Sequence, residues 1–135
     1  MKYKPVLTST LARQMLDAAL AAAQASGRAV AVAVVDEGGF PLALQRMDGA
    51  GLMTGKVAME KARTAALIRA PSGLLADRLA AEPALLRLTD YLPMAGGLPV
   101  HVEGQCVGAI GVSGGSAAQD EEIGAAGLAT LEAAR

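Results

Sequence analysis

The stretch that decides the fold is Val30–Met47, VAVAVVDEGGFPLALQRM. Valine and alanine alternate through Val30–Val35 with no polar interruption, the pattern of a strand buried on both faces. Asp36-Glu37-Gly38-Gly39 follows as a turn cluster in which glycine can take positive φ. A second strand then runs from Phe40 to about Met47. Two strands joined by so short a turn must be antiparallel, which excludes the doubly wound parallel fold.

Upstream, Thr8-Ser9-Thr10 offers N-cap hydroxyls to an alanine-rich helix reaching about Ala25. Its apolar residues Leu11, Met15, Ala18, Ala19 and Ala22 recur at helical spacing, and Ser26-Gly27 supplies the stop. Downstream, Asp48-Gly49-Ala50-Gly51 breaks the second strand, and Leu52–Ala70 reads as a long helix ended by Pro71. Ser72 can cap a short helix holding Leu74, Leu75 and Leu79, and Pro83 suits the first turn of another. Thr89–Gly97 is irregular, with room for a short strand. Leu98–Val102 and Gln105–Val112 form a second hairpin around Glu103-Gly104. After the Ser113-Gly114-Gly115-Ser116 loop, Ser116 and Gln119 have capping-box spacing, and a last helix runs to about Ala134. The expected architecture is α/β (α+β): helices on both faces of a central antiparallel sheet of about five strands, in a single domain over residues 1–135.

Composition narrows the function. The 135 residues carry 12 basic and 13 acidic side chains, for a net charge of −1, and only 2% are aromatic. A nucleic-acid binder would show a basic stripe or stacking aromatics, and neither is present. One cysteine excludes an internal disulfide, and one histidine excludes a histidine cluster. The start MKYKPVLTST lacks the apolar run of a signal peptide, and no long uncharged apolar stretch spans a membrane, so a cytoplasmic protein is expected. With 53% apolar residues and 19% charged ones, homo-oligomerisation is expected as well.

Several constellations could carry chemistry. Ser113-Gly114-Gly115 before a helix N-terminus is a potential anion cradle, although Asp120, Glu121 and Glu122 in the first turn would repel a phosphate. No lysine stands in the loop, so it is not a P-loop. A two-residue turn at Glu103-Gly104 sets His101 opposite Cys106, a pair able to ligate a metal or an iron porphyrin but not a closed zinc site. Arg46, at the end of the second strand, and Lys61, on the following helix, would hold a carboxylate if they converge. Asp36, His101 and Asp120 are the candidate catalytic acids and bases; each also has a purely structural reading as turn cap, surface residue or helix-terminal acid. A serine triad is not supported.

Four strings in order, VAVVDEGGFPLALQRMDGA, KVAMEKARTAA, GGLPVHVEGQCVGAIGVSGG and QDEEIGAAGLATL, resemble the GlcG/HbpS family, which includes the C-terminal domain of PduO-type proteins. The resemblance runs from about Thr8 to Leu131. It implies a profilin-like α/β/α sandwich, symmetric homo-oligomers and, in several members, haem binding. It places Asp36, Arg46, Lys61, Gly97, Ser113, Gly114 and Asp120 at characteristic positions. The implied function is an oligomeric small-molecule or cofactor binder, with haem or a related tetrapyrrole as the ligand. Arg46 and Lys61 would then anchor its acidic groups, and Gly97, Ser113 and Gly114 would allow close backbone approach. The alternatives are a small enzyme moving a proton on an organic acid at a subunit interface, and an assembly module without a ligand.

Overall fold

Alternate residues of one central strand face two different cores, and that division sets the architecture. The computed structural model describes residues 1–88 and 90–133, with the side chain of Ala133 left aside. Strand β1 (Ala31–Asp36) buries Val32 and Val34 in one core and Ala31, Ala33 and Val35 in the other. It pairs antiparallel with β2 (Pro41–Arg46) on one side and with β4 (Gln105–Ser113) on the other. With β3 (Gly97–Val102) the sheet has the order β2-β1-β4-β3. Helices α1 (Ser9–Ala25) and α4 (Ala117–Ala133) cover the valine face, and α2 (Thr54–Ile68) covers the alanine face. Helix α3 (Gly73–Ala81) and a 3-10 turn at Pro83–Arg87 lead from α2 to β3.

The small residues explain how so little bulk fills a core. Helix α2 presents Ala58, Ala62, Ala65 and Ala66, all buried, to the sheet. The sheet answers with glycine: a Cβ on Gly111 would run into the Ala58 carbonyl, and one on Gly97 into the Lys61 carbonyl. Backbone therefore lies on backbone, and dispersion over many short contacts replaces the area that larger side chains would bury.

Local signals hold where they rest on hydrogen bonding. Thr8 Oγ1 accepts from Leu11 N at 3.2 Å and starts α1. Gln119 Oε1 accepts from Ser116 N at 2.9 Å while Ser116 Oγ accepts from Gln119 N at 3.2 Å, completing the capping box. Glu103 and Gly104 have φ of 53° and 76°, both in the left-handed region, as a two-residue type I′ hairpin turn requires.

The strand count needs one correction: the sheet has four strands, not about five, and residues 90–96 contain none. Side chains capture that segment's backbone groups instead. Thr64 Oγ1 donates to Leu92 O at 3.1 Å, and Ser72 Oγ donates to Met94 O while accepting from Gly97 N at 2.8 Å. Pro93 removes a donor that a ladder would need. Thr89, the expected start of that segment, and Ala134, the expected end of the last helix, lie outside the described residues.

Candidate functional site

The residues singled out in the sequence divide into a buried polar junction and separate surface positions. At the junction, Lys61 of α2 is 3% exposed and Asp120 of α4 is 1% exposed. Lys61 Nζ lies 3.0 Å from Asp120 Oδ2 and also donates to Val112 O at 3.0 Å. Asp120 Oδ1 accepts from Gly115 N at 2.9 Å. A buried charge is tolerated only when paired and hydrogen-bonded, and both conditions are met here. Gly97 packs on the Lys61 carbonyl and Gly96 on its side chain, while Ser113 follows Val112 and Gly115 reaches Asp120 through its N–H; Gly114 lies instead against Ala29 and Val30. The junction ties α2, β4 and α4 together.

Arg46 is not part of it. It stands exposed at the end of edge strand β2 and donates from Nη1 to Leu52 O at 3.2 Å. The convergence of Arg46 and Lys61 on one ligand is therefore not built within one chain, because the Lys61 ammonium is already committed. Asp36 is occupied too: its Oδ1 accepts from Gly38 N at 2.9 Å and from Phe40 N at 3.0 Å, closing the β1–β2 turn.

His101 and Cys106 do face each other, in the register that the two-residue turn dictates. A bulge between Val100 and His101 ends that register one residue further along the strand. His101 is exposed on edge strand β3, and Cys106 Sγ lies 3.4 Å from Gly108 O and 3.7 Å from Ala66 O. Two recesses meet at His101. One, of about 240 Å³, is lined on its apolar side by Pro99, Val100, Leu128 and Leu131. The other, of about 290 Å³, is polar and includes Lys4, Glu37, Arg69, Gln105 and Cys106. A third recess of about 200 Å³, formed by Val6, Leu7, Leu11, Val102 and Val107, adjoins the first through Leu131.

Sequence reasoning missed Lys4 and Arg69. Arg69 closes α2 with φ 56° and ψ 36°, a left-handed cap where glycine is usual. Its only signal was a cation at a helix end two residues before Pro71. Among the described residues, no group of three or more His, Cys, Asp or Glu side chains is placed to hold a metal ion. No helix among them is long and apolar enough to cross a membrane.

Comparison with known proteins adds context to this geometry. The family model described as "Haem degrading protein HbpS-like" matches residues 7–129. Protein GlcG of Escherichia coli K12 is 37% identical over 114 residues, which cover 84% of this chain and 85% of GlcG. A crystal structure of a double mutant of Streptomyces reticuli HbpS superposes with a TM-score of 0.90 at 41% identity, covering 97% of this chain and 90% of that one. A crystal structure of the PduOC:haem complex superposes with a TM-score of 0.86 at 27% identity, covering 93% of this chain and 95% of that one.

Proposed function

The chain belongs to the HbpS-like family, and from that premise we propose that it binds haem or a related tetrapyrrole as a homo-oligomer. The observation that carries this reading is the place of His101, an exposed imidazole between a mixed recess, where Pro99, Val100, Leu128 and Leu131 stand beside Glu132, and a polar one that holds Arg69. A haem asks for that combination: one nitrogen ligand, apolar surface for the ring and polar surroundings for its acids. His101 Nε2 or Nδ1 would supply the ligand, while Leu128 and Leu131 would keep water from the ring. When bound, haem would supply iron-centred redox chemistry.

Each recess at His101 is smaller than the roughly 300–1,000 Å³ of an ordinary ligand pocket, so one chain does not enclose a macrocycle. A second copy across the β3 edge would complete the enclosure. Exposed apolar side chains support self-association, among them Leu52 at 83% and Leu88 at 80% exposure. With three aromatic residues in the chain, Leu and Val would make most of the ring contacts.

The reading as a proton-transfer enzyme draws less support. It needs Arg46 and Lys61 to converge beside Asp36, Asp120 or His101, yet Lys61 and Asp120 neutralise each other and Asp36 is held in its turn. Arg46 on β2, bonded to Leu52 O, lies at the opposite edge of the sheet from His101 on β3. Optical titration with haem tests the proposal. A Soret band that saturates at a fixed ratio of haem to subunit, and shifts or is lost in His101→Ala, is the expected result. Broad absorbance without saturation would remove the haem reading, and an unchanged band in His101→Ala would remove His101 from it.

A further inference from the structure

The polar recess beside His101 has a chemistry of its own. It is assembled from four separated segments: Lys4 of the N-terminal arm, Glu37 of the first hairpin, Arg69 at the end of α2, and His101 with Gln105 on the second hairpin. Lys4 and Glu37 neutralise each other at 3.0 Å. Arg69 has no side-chain hydrogen bond or ion pair with any described residue. The recess therefore holds one uncompensated guanidinium, with the Gln105 amide and the His101 ring in the same lining.

The backbone at Arg69 strengthens the point. A left-handed conformation costs a side-chain-bearing residue roughly 1–2 kcal/mol, and glycine would take it without strain. A cation at a helix C-terminus does interact favourably with the dipole, but that effect does not require the strained cap position itself. A residue at a strained position whose side chain bonds no described residue points to a partner outside the chain.

We infer that this recess is a carboxylate site, with the Arg69 guanidinium as its principal donor and Gln105 and His101 beside it. A guanidinium fork matches the two oxygens of a carboxylate, and a volume of about 290 Å³ suits one acid group with a short chain. The carboxylate has two sources: a free small organic acid, or an acid side chain of the tetrapyrrole proposed above. Only the second rests on that proposal.

The experiment has two arms, each run on the wild type, Arg69→Gly and Arg69→Lys. In the first, the haem-free protein is titrated with succinate and followed by NMR shifts of the Arg69 and Gln105 side-chain N–H groups. In the second, haem is compared with its dimethyl ester, which lacks free carboxylates. Arg69→Gly relieves the cap strain, so its fold should be kept, which a thermal melt checks. Saturable succinate binding that weakens by about tenfold or more in Arg69→Gly and is partly kept in Arg69→Lys supports a site for free acids. Haem binding more tightly than its diester, with the difference lost in Arg69→Gly, supports the tethered acid. If haem does not bind at all, the tetrapyrrole reading fails and the succinate arm alone decides the site. Absence of saturable succinate binding, together with a haem-to-diester ratio unchanged in Arg69→Gly or no haem binding, overturns the inference.

Discussion

Replacing Asp120 with alanine should be among the most damaging single changes in the molecule, because it strands the Lys61 ammonium. Lys61 is 3% exposed and Asp120 1%, so water screens neither charge appreciably. Removing one partner of such a pair costs about 3–5 kcal/mol, against a total stability of about 5–15 kcal/mol for a domain of this kind. The loss has identifiable parts. Lys61 Nζ keeps only the Val112 carbonyl, and Gly115 N loses its acceptor. Replacing both charges at once, as Lys61→Met with Asp120→Leu, leaves no buried charge and should lose much less than the two single changes together. Urea unfolding followed by far-ultraviolet circular dichroism is the suitable assay, since the chain has no Trp to report by fluorescence. A loss below about 1 kcal/mol for Asp120→Ala, or strict additivity in the double variant, would refute the claim that this pair ties α2 to α4.

Other consequences are open to the same unfolding measurements. Gly111→Ala should cost about 3 kcal/mol, because its Cβ would strike the Ala58 carbonyl and the sheet would have to move off α2; an unchanged urea midpoint would contradict the backbone-on-backbone contact. Ser72→Ala should cost about 1–3 kcal/mol by leaving Gly97 N without an acceptor, and hydrogen exchange at that amide should accelerate. Glu103→Asn should raise stability by about 0.5 kcal/mol, since Asn tolerates the left-handed turn position better than Glu, and a thermal midpoint unmoved or lowered would argue against the strain.

What the sequence made legible followed from short-range chemistry. The alternation in Val30–Val35 identified a strand buried on both faces, and the Glu103-Gly104 turn alone fixed His101 opposite Cys106. Thr8 and the Ser116–Gln119 box marked helix starts with hydroxyl and amide groups that have little else to bond. The order β2-β1-β4-β3 was not legible, because β1 joins β4 across some seventy residues with no local signal for it. The Lys61–Asp120 pair spans 59 positions, so the sequence reads Lys61 as a carboxylate anchor and Asp120 as a catalytic or helix-terminal acid, and nothing local pairs them; the glycines at 97 and 111 bring α2 down onto the sheet. The irregular segment before β3 could pass for a strand because the side chains that replace its ladder, Thr64 and Ser72, lie far upstream. Arg69 escaped notice since a cation near a helix end is ordinary, and only its φ of 56° sets it apart.

The proposed haem site needs an assembly of this chain rather than one copy of it. Sedimentation velocity with haem added, read at the Soret band and in the far ultraviolet, tests it most directly. Both signals should move together as a species larger than the 13.6 kDa monomer, with a fixed haem content per subunit. A monomeric protein boundary with the haem absorbance sedimenting apart from it would rule out a haem site shared between copies.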